Sequence, residues 1–150
     1  MLKEVTFIYP SDDYYPHRES VARNFCRAVS AVLALPDKIE IEFANIGYAI
    51  YGETLLDSRF RNRMRINNAL DPKELIHALV HELIHINQVY TGRLSANRNG
   101  TFMWDRQPYS VDTKTISNGN HAALPWEQDV ANKQQQILMQ ALAVPLDFMG

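Results

Sequence analysis

The sequence predicts an α+β fold in which a small mixed β-sheet packs on helices. Three observations support this prediction: strand-like segments alternate with an amphipathic helix at the start, a long apolar helix follows, and a proline-initiated helix lies near the end. The chain has 150 residues, of which 46% are hydrophobic and 21% are charged. These values are typical of a globular protein with its own core, so we expect residues 1–150 to form one domain.

The N-terminal half supplies the sheet and its first helix. We expect a strand at Glu4–Tyr9 and an amphipathic helix at about Arg18–Leu35. Cys26 is the only cysteine, which excludes an internal disulfide. It lies in the apolar stripe of that helix, which favours a buried, inert thiol. Three more strands are expected near Lys38–Asn45, Tyr48–Leu55 and Arg59–Asn67.

The next element is predicted to be a buried helix, because Leu75 to Tyr90 is apolar on nearly every helical face. Asp71 can cap this helix, and Pro72 suits its first turn. Glu74 follows Asp71 at capping-box spacing, and Gly92 is the expected stop.

This helix contains His81-Glu82-Leu83-Ile84-His85, the HExxH pattern. Histidines four residues apart share a helix face, so both imidazoles can bind one ion while Glu82 reaches a water beside it. The alternative is two core histidines satisfied by neighbouring groups. His77 continues the stripe, but it lies about 12 Å along the axis from His85, too far to share the ion, and is expected to pack or support a ligand.

A catalytic zinc takes three protein ligands and leaves one position open, so the motif lacks a ligand. We expect Glu127 to supply it, because Pro125 starts a helix running to about Ala143 and Trp126 anchors its first turn. Alternatively, Glu127 only complements the helix dipole. The other downstream candidates are His121, Asp105, Asp112 and Asp129.

Between these helices, the polar segment Arg93–Asn120 shows little periodicity and is expected to be a long loop. Hydrolysis also needs a group that stabilises the oxyanion. Tyr109 and His121 are our candidates for that role, with Arg106 as a weaker one, and the alternative is that all three are surface loop residues.

HELIH followed by a helix that carries a glutamate resembles the gluzincin clan of zinc metallopeptidases, and the order of elements resembles its smallest members, the minigluzincins. The tract from Met103-Trp104 to Leu124-Pro125-Trp126-Glu127 is also similar to small predicted metallopeptidases encoded by bacteriophages. The resemblance covers roughly Arg59 to Leu142.

The resemblance implies a zincin-like fold, Zn²⁺ bound by His81, His85 and Glu127, and peptide hydrolysis with Glu82 as general base and later proton donor. Many gluzincins place an aspartate four residues after the glutamate ligand to orient a ligand histidine. That position is Ala131 here, so Asp129 or a backbone carbonyl is expected to take over the role.

Four arginines alternate along one predicted strand and should share one face of the sheet: Arg59, Arg61, Arg63 and Arg65. They could hold an acidic peptide or a nucleic-acid-associated substrate, a role that the resemblance suggests for a strand near the cleft. We favour instead a solvated outer face that Glu40 and Glu42 partly neutralise.

The sequence therefore predicts a zinc-dependent endopeptidase acting on a peptide or protein. The alternatives are a non-catalytic zinc-binding or virion structural module and a DNA-associated protease. A net charge of -2 weighs against nucleic acid as a partner. No window approaches the length of an apolar membrane span, and the N-terminus lacks a signal-peptide pattern, so we expect a cytoplasmic protein without a membrane partner.

Overall fold

A computed structural model describes residues 2–9, 16–47, 50–55, 62–96, 101–110 and 123–143. These residues form a mixed α+β fold with three helices and two small sheets. The helices are α1 (Pro16–Ser30), α2 (Pro72–Tyr90) and α3 (Pro125–Leu142). The strands are β1 (Glu4–Ile8), β2 (Lys38–Ala44), β3 (Gly52–Thr54), β4 (Arg63–Asn67), β5 (Leu94–Ala96), β6 (Thr101–Trp104) and β7 (Gln107–Ser110).

The first sheet is mixed, as the sequence predicts, and its strand order is β1-β2-β4-β3. β1, β2 and β4 run parallel, with Val5 opposite Ile39 and Ile41 opposite Met64. β3 precedes β4 in the chain but lies outside it, antiparallel, at the edge of the sheet. This order brings a three-residue edge strand beside α2.

The two faces of this sheet differ because apolar and charged residues alternate along its strands. Ile39, Ile41 and Met64 are fully buried on the inner face. The opposite face carries ion pairs between neighbouring strands, Arg63 with Glu40 and Arg65 with Glu42, each at 2.8 Å. The helices therefore cover one face, and the other is solvated.

The core joins that inner face to all three helices. α1 contributes residues at helical spacing, among them Phe25, Cys26 and Val29. Burial raises the pKa of the Cys26 thiol to about 12, in keeping with the expected inert side chain. α2 lies at the centre and contacts α1, α3, β3 and β4.

The second sheet corrects one prediction. Residues 94–110 were expected to belong to a long loop, yet their described part forms a three-stranded antiparallel sheet in the order β5-β6-β7. Its strands have three or four residues, too short for a periodicity to be recognised. Asp105 and Arg106 adopt positive φ angles of 46° and 69°, and they form the tight turn between β6 and β7.

The other predicted elements are present with shorter bounds. α1 ends at Ser30 rather than near Leu35, and α3 ends at Leu142, one residue before the expected end. Of the strand expected at Tyr48–Leu55, the structure describes residues 50–55, and only Gly52–Thr54 form β3. Of the strand expected at Arg59–Asn67, it describes residues 62–67, and Arg63–Asn67 form β4. No helix in the described ranges is long and apolar enough to cross a membrane.

Candidate metal centre

α2 is held at its start by the capping signals that the sequence predicts. The Asp71 carboxylate accepts a hydrogen bond from the Glu74 backbone N–H at 2.8 Å, and the Glu74 carboxylate accepts one from the Asp71 N–H at 3.1 Å. Pro72 occupies the first turn. The helix ends at Tyr90, and Gly92 has a φ of 80° that favours glycine. His81 and His85 therefore lie on a helix fixed at both ends.

α3 presents Glu127 from its first turn, and an aromatic cluster fixes that turn. Trp126 is buried, with its ring centroid 5.4 Å from that of Phe102 and 6.4 Å from that of Trp104. The Glu127 backbone N–H donates to the Leu124 carbonyl at 3.0 Å. The second sheet thus anchors α3 at the residue before Glu127.

The three predicted ligands converge. His85 Nε2 lies 2.6 Å from Glu127 Oε1, and His81 Nε2 lies 3.2 Å from Glu127 Oε2. One donor atom from each residue lies within 4.8 Å of the others. Tetrahedral zinc at about 2.0–2.1 Å from each ligand holds them about 3.3 Å apart. The three side chains therefore fit a zinc ion after small movements, and their nitrogen and oxygen atoms suit that metal.

Charge is concentrated at this cluster. Burial disfavours a charged His81, but contact with Glu127 and the nearby Glu82 outweighs it, so the pKa of His81 lies above its ordinary value. Positive charge on the imidazole is thus favoured beside the two carboxylates. A divalent cation bound between the same side chains would replace that proton and satisfy the same negative charge.

Glu82 is buried on the same side of α2, with Oε2 4.0 Å from His81 Nε2. Thr54 on β3 donates a hydrogen bond to Glu82 Oε1 at 2.8 Å. Burial raises the pKa of Glu82 despite the opposing effects of His85, His81 and that bond. A carboxyl whose pKa is raised toward neutrality is suited to proton transfer.

Gly52 permits this close approach of β3 to α2. A Cβ atom at position 52 would lie 2.9 Å from Ile66 Cδ1 and 3.2 Å from Glu82 Cγ. Both distances are shorter than ordinary carbon contacts, so a larger residue would force the Ile66 side chain, the Glu82 side chain or the edge strand to shift. The backbone of β3 therefore packs directly against the side chain of Glu82.

Two glutamines support the histidines. His85 Nδ1 lies 2.8 Å from Gln88 Oε1, and His81 Nδ1 lies 3.3 Å from Gln134 Oε1. Gln88 is fully buried, and its Nε2 donates to the Trp126 carbonyl and to Asp129 Oδ2, both at 2.9 Å. Asp129 thus reaches His85 only through Gln88, rather than by direct contact.

The cluster lies in an open cleft of about 1660 Å³. β3 forms one wall of the cleft, and His77, His81 and His85 of α2 form a second. The remaining side is lined by Trp126 and Gln134 of α3 and by Leu94 of β5. His77 therefore faces the cleft one turn before His81 and is not part of the ligand cluster, in accordance with the sequence analysis. A cleft of this size accommodates several residues of a peptide.

The other candidates for the third ligand have different environments. Asp105 pairs with Arg93 at 2.9 Å, and Asp129 contacts Arg93 at 3.3 Å and Lys133 at 3.0 Å. Neither belongs to the ligand cluster. Asp112 and His121 lie outside the described residues.

Two of the three oxyanion candidates, Tyr109 and Arg106, are described, and neither lines the cleft. The Tyr109 ring packs edge-on against Trp126, with centroids 6.1 Å apart, and does not line the cleft. Arg106 is exposed in the β6–β7 turn. His121 lies outside the described ranges. The oxyanion role of Tyr109 and that of His121 both stay predictions.

The arginine row is only partly described, because Arg59 and Arg61 lie outside the described residues. Arg63 and Arg65 occupy the outer face of the sheet and pair with Glu40 and Glu42, as the favoured interpretation expects. β4 is also an inner strand, so the strand beside the cleft is β3 rather than the arginine strand.

Sequence reasoning missed Thr54, Gln88 and Gln134. Gln88 carried a usable signal, because a polar residue three positions after His85 in an otherwise apolar helix shares its face. Thr54 carried none, since only the strand order brings β3 beside Glu82. No protein-family model, curated protein or solved structure matches this chain, so the candidate metal centre rests on its own geometry.

Proposed function

We propose that this protein is a zinc-dependent endopeptidase with a zincin-like active site of the gluzincin type. The observation that carries the proposal is the convergence of His81, His85 and Glu127 with the buried Glu82 beside them in an open cleft. Two imidazoles, one carboxylate and a cleft-facing position correspond to the ligand set of a catalytic zinc.

Zinc, when bound, supplies Lewis acidity that lowers the pKa of a water and polarises a substrate carbonyl. His81 and His85 would hold it from one helix and Glu127 from another. Because the ligands come from α2 and α3, the metal would also tie these two helices together.

Glu82 performs the proton transfers in this proposal. Its carboxylate takes a proton from the attacking water and later gives it to the leaving amine. The Thr54 hydroxyl holds Oε1, which leaves Oε2 on the side of the ligand cluster. Burial raises the pKa of Glu82, which favours the protonated carboxyl that the second transfer requires.

The outer edge of β3, which has no strand beside it in the described ranges, is the proposed binding site for the substrate backbone. The Tyr51 carbonyl accepts from Asn67 N–H, and Leu55 N–H donates to the Arg63 carbonyl. Because residues alternate in an antiparallel ladder, the N–H and C=O groups of Gly52 and Thr54 point away from β4. No described strand pairs with these groups, so we propose that they bind an extended peptide beside Glu82.

Two alternative functions make different predictions. A non-catalytic zinc-binding or virion structural module would use the same ligands and have no need of Glu82. A DNA-associated protease would need exposed cationic surface, and the arginines of β4 pair with glutamates instead. We therefore retain the endopeptidase as the proposal.

The test is metal analysis of protein purified without chelator, combined with cleavage of a quenched-peptide library. We expect about one zinc per chain and chelator-sensitive cleavage in the wild type. Glu127→Ala should lose metal and activity, whereas Glu82→Gln should keep metal and lose activity. Full activity in Glu82→Gln would contradict the proposed mechanism, and a wild type that binds zinc but cleaves nothing would favour the structural module.

A further inference from the structure

A histidine that binds a metal through Nε2 must carry its proton on Nδ1. In His85, Nδ1 lies 2.8 Å from Gln88 Oε1, while Nε2 faces Glu127. A hydrogen-bond acceptor beside Nδ1 favours the tautomer with the proton on that nitrogen, and the Gln88 amide oxygen lies at this position.

The amide of Gln88 can adopt only one orientation in its surroundings. Its Nε2 lies 2.9 Å from the Trp126 carbonyl oxygen and 2.9 Å from Asp129 Oδ2. Both of these groups only accept hydrogen bonds, so the amide NH₂ must face them. A flipped amide would place its oxygen against a carbonyl and a carboxylate inside the protein. The amide oxygen is thus directed at His85.

Asp129 is itself held in place and cannot turn away from Gln88. Its carboxylate contacts Lys133 at 3.0 Å and Arg93 at 3.3 Å. The Arg93 guanidinium also lies 4.5 Å from the centre of the Trp104 ring. The carboxylate is therefore fixed by two cations, and one of these is fixed by the second sheet.

We propose that Gln88 is a positioning residue that keeps the proton of His85 on Nδ1 and turns Nε2 toward the metal. Asp129 and the Trp126 carbonyl fix the orientation of its amide. This proposal rests on the metal site proposed above and assigns to an amide in α2 the role expected of an aspartate at the position of Ala131. Asp129 therefore acts on His85 indirectly, through the amide of Gln88.

His81 offers an internal comparison. Its Nδ1 contact with Gln134 is longer, at 3.3 Å, and its side chain is 34% exposed. Water can replace Gln134 at such a site, but no water can reach the buried Gln88 without disrupting the core. The proposal therefore requires the two glutamines to differ in their effect on metal binding.

The experiment measures zinc affinity by competition with a chromophoric chelator for wild type, Gln88→Met and Gln134→Met. Methionine preserves the length and volume of glutamine and removes its hydrogen bonds. Gln88→Met should weaken zinc binding about 10- to 100-fold, as is typical for groups that orient a ligand, and Gln134→Met should weaken it much less. Equal affinities in wild type and Gln88→Met would overturn the proposal.

A second readout separates orientation from packing. In protein loaded with ¹¹³Cd and labelled with ¹⁵N-histidine, wild-type His85 should show coupling at Nε2 and an Nδ1 proton protected from exchange. Gln88→Met should lose that protection, and its retention would overturn the proposal. If Gln88→Met does not fold, Asp129→Ala should still weaken zinc binding by about threefold, and an unchanged affinity would count against the role of the amide.

These results distinguish the two proposals. A wild-type protein that binds neither zinc nor cadmium would overturn the metal site and the role of Gln88 together. A wild-type protein that binds metal, with a Gln88→Met variant that binds it equally well, would overturn only the role of Gln88.

Discussion

The Thr54 hydroxyl donates a 2.8 Å hydrogen bond to Glu82 Oε1, and so connects the edge strand of the sheet to the proposed general base. The bond joins residues from elements that are distant in sequence. It also leaves the second oxygen of the carboxyl on the side of His81, one of the candidate metal ligands.

Replacing Thr54 with valine should lower cleavage and leave zinc content unchanged. A hydrogen bond to a charged group contributes about 1.5–3 kcal/mol, which corresponds to a loss of rate of roughly ten- to hundredfold. Thr54→Ser keeps the hydroxyl and is the matched control. A Thr54→Val enzyme with wild-type kcat would show that this bond does not position the base.

The same variant should change the pH dependence of cleavage. Burial raises the pKa of Glu82, and the bond from Thr54 opposes that effect, so the valine variant should have a higher pKa still. A general base acts when deprotonated, so activity falls as the pH drops through its pKa. The acid limb of the rate profile should therefore move to higher pH in Thr54→Val and stay in place in Thr54→Ser.

Gly52→Ala should abolish cleavage, whereas a substitution that destabilises the protein to a similar degree away from the cleft should not. The added methyl group would meet Ile66 and Glu82, and overpacking of this kind typically costs about 1–3 kcal/mol. Gly92→Ala is the control, because its positive φ costs about 1–2 kcal/mol while no atom lies within 4 Å of the new Cβ. We expect similar losses of stability by chemical denaturation, but loss of cleavage only in Gly52→Ala.

Zinc should stabilise the protein through the contact between α2 and α3. At a free zinc concentration of a thousand times Kd, binding contributes about 4 kcal/mol, which raises the Tm of a domain of this size by roughly 8–16 °C. Glu82→Gln should keep the full shift, and Glu127→Ala should lose most of it. An equal shift in Glu127→Ala, measured by thermal unfolding, would assign the third ligand to another residue.

How much of this site could be predicted from the sequence depends on the range of the interactions. Helix α2 was predictable because its caps, its apolar faces and the spacing of His81 and His85 are all local. Glu127 was predictable because Pro125 fixes a helix start. Thr54 was not, since a strand carries no information about which helix it will lie against. The second sheet was missed because its strands have only three or four residues and its buried side chains pack on Trp126, which is distant in sequence.

Stability at low pH should depend on Asp129. Burial would raise its pKa, but hydrogen bonds from Gln88 and Lys133 and the charges of Lys133 and Arg93 lower it below the ordinary value. A carboxyl with a lowered pKa in the folded state contributes stability above its unfolded pKa, and that contribution is lost as the pH falls through the folded one. Denaturant unfolding of apoprotein from about pH 7 to about pH 2 should therefore show, below about pH 5, a steeper decline in wild type than in Asp129→Asn.

Asp105 provides the comparison for this measurement. Arg93 lowers its pKa as well, but the Asp105 carboxylate is exposed, and solvent screens its interaction. Asp105→Asn should therefore keep most of the wild-type pH dependence. If the two variants behave alike, the buried network around Gln88 is not the source of the effect.

The strand order β1-β2-β4-β3 has a consequence for the maturation of the protein. β3 is synthesised before β4, and β4 is the strand that it pairs with in the sheet. The wall of the cleft beside Glu82 therefore cannot form before β4 is present. On the proposed mechanism, Glu82 would gain its hydrogen bond from Thr54 only in a chain whose β3 and β4 have already paired.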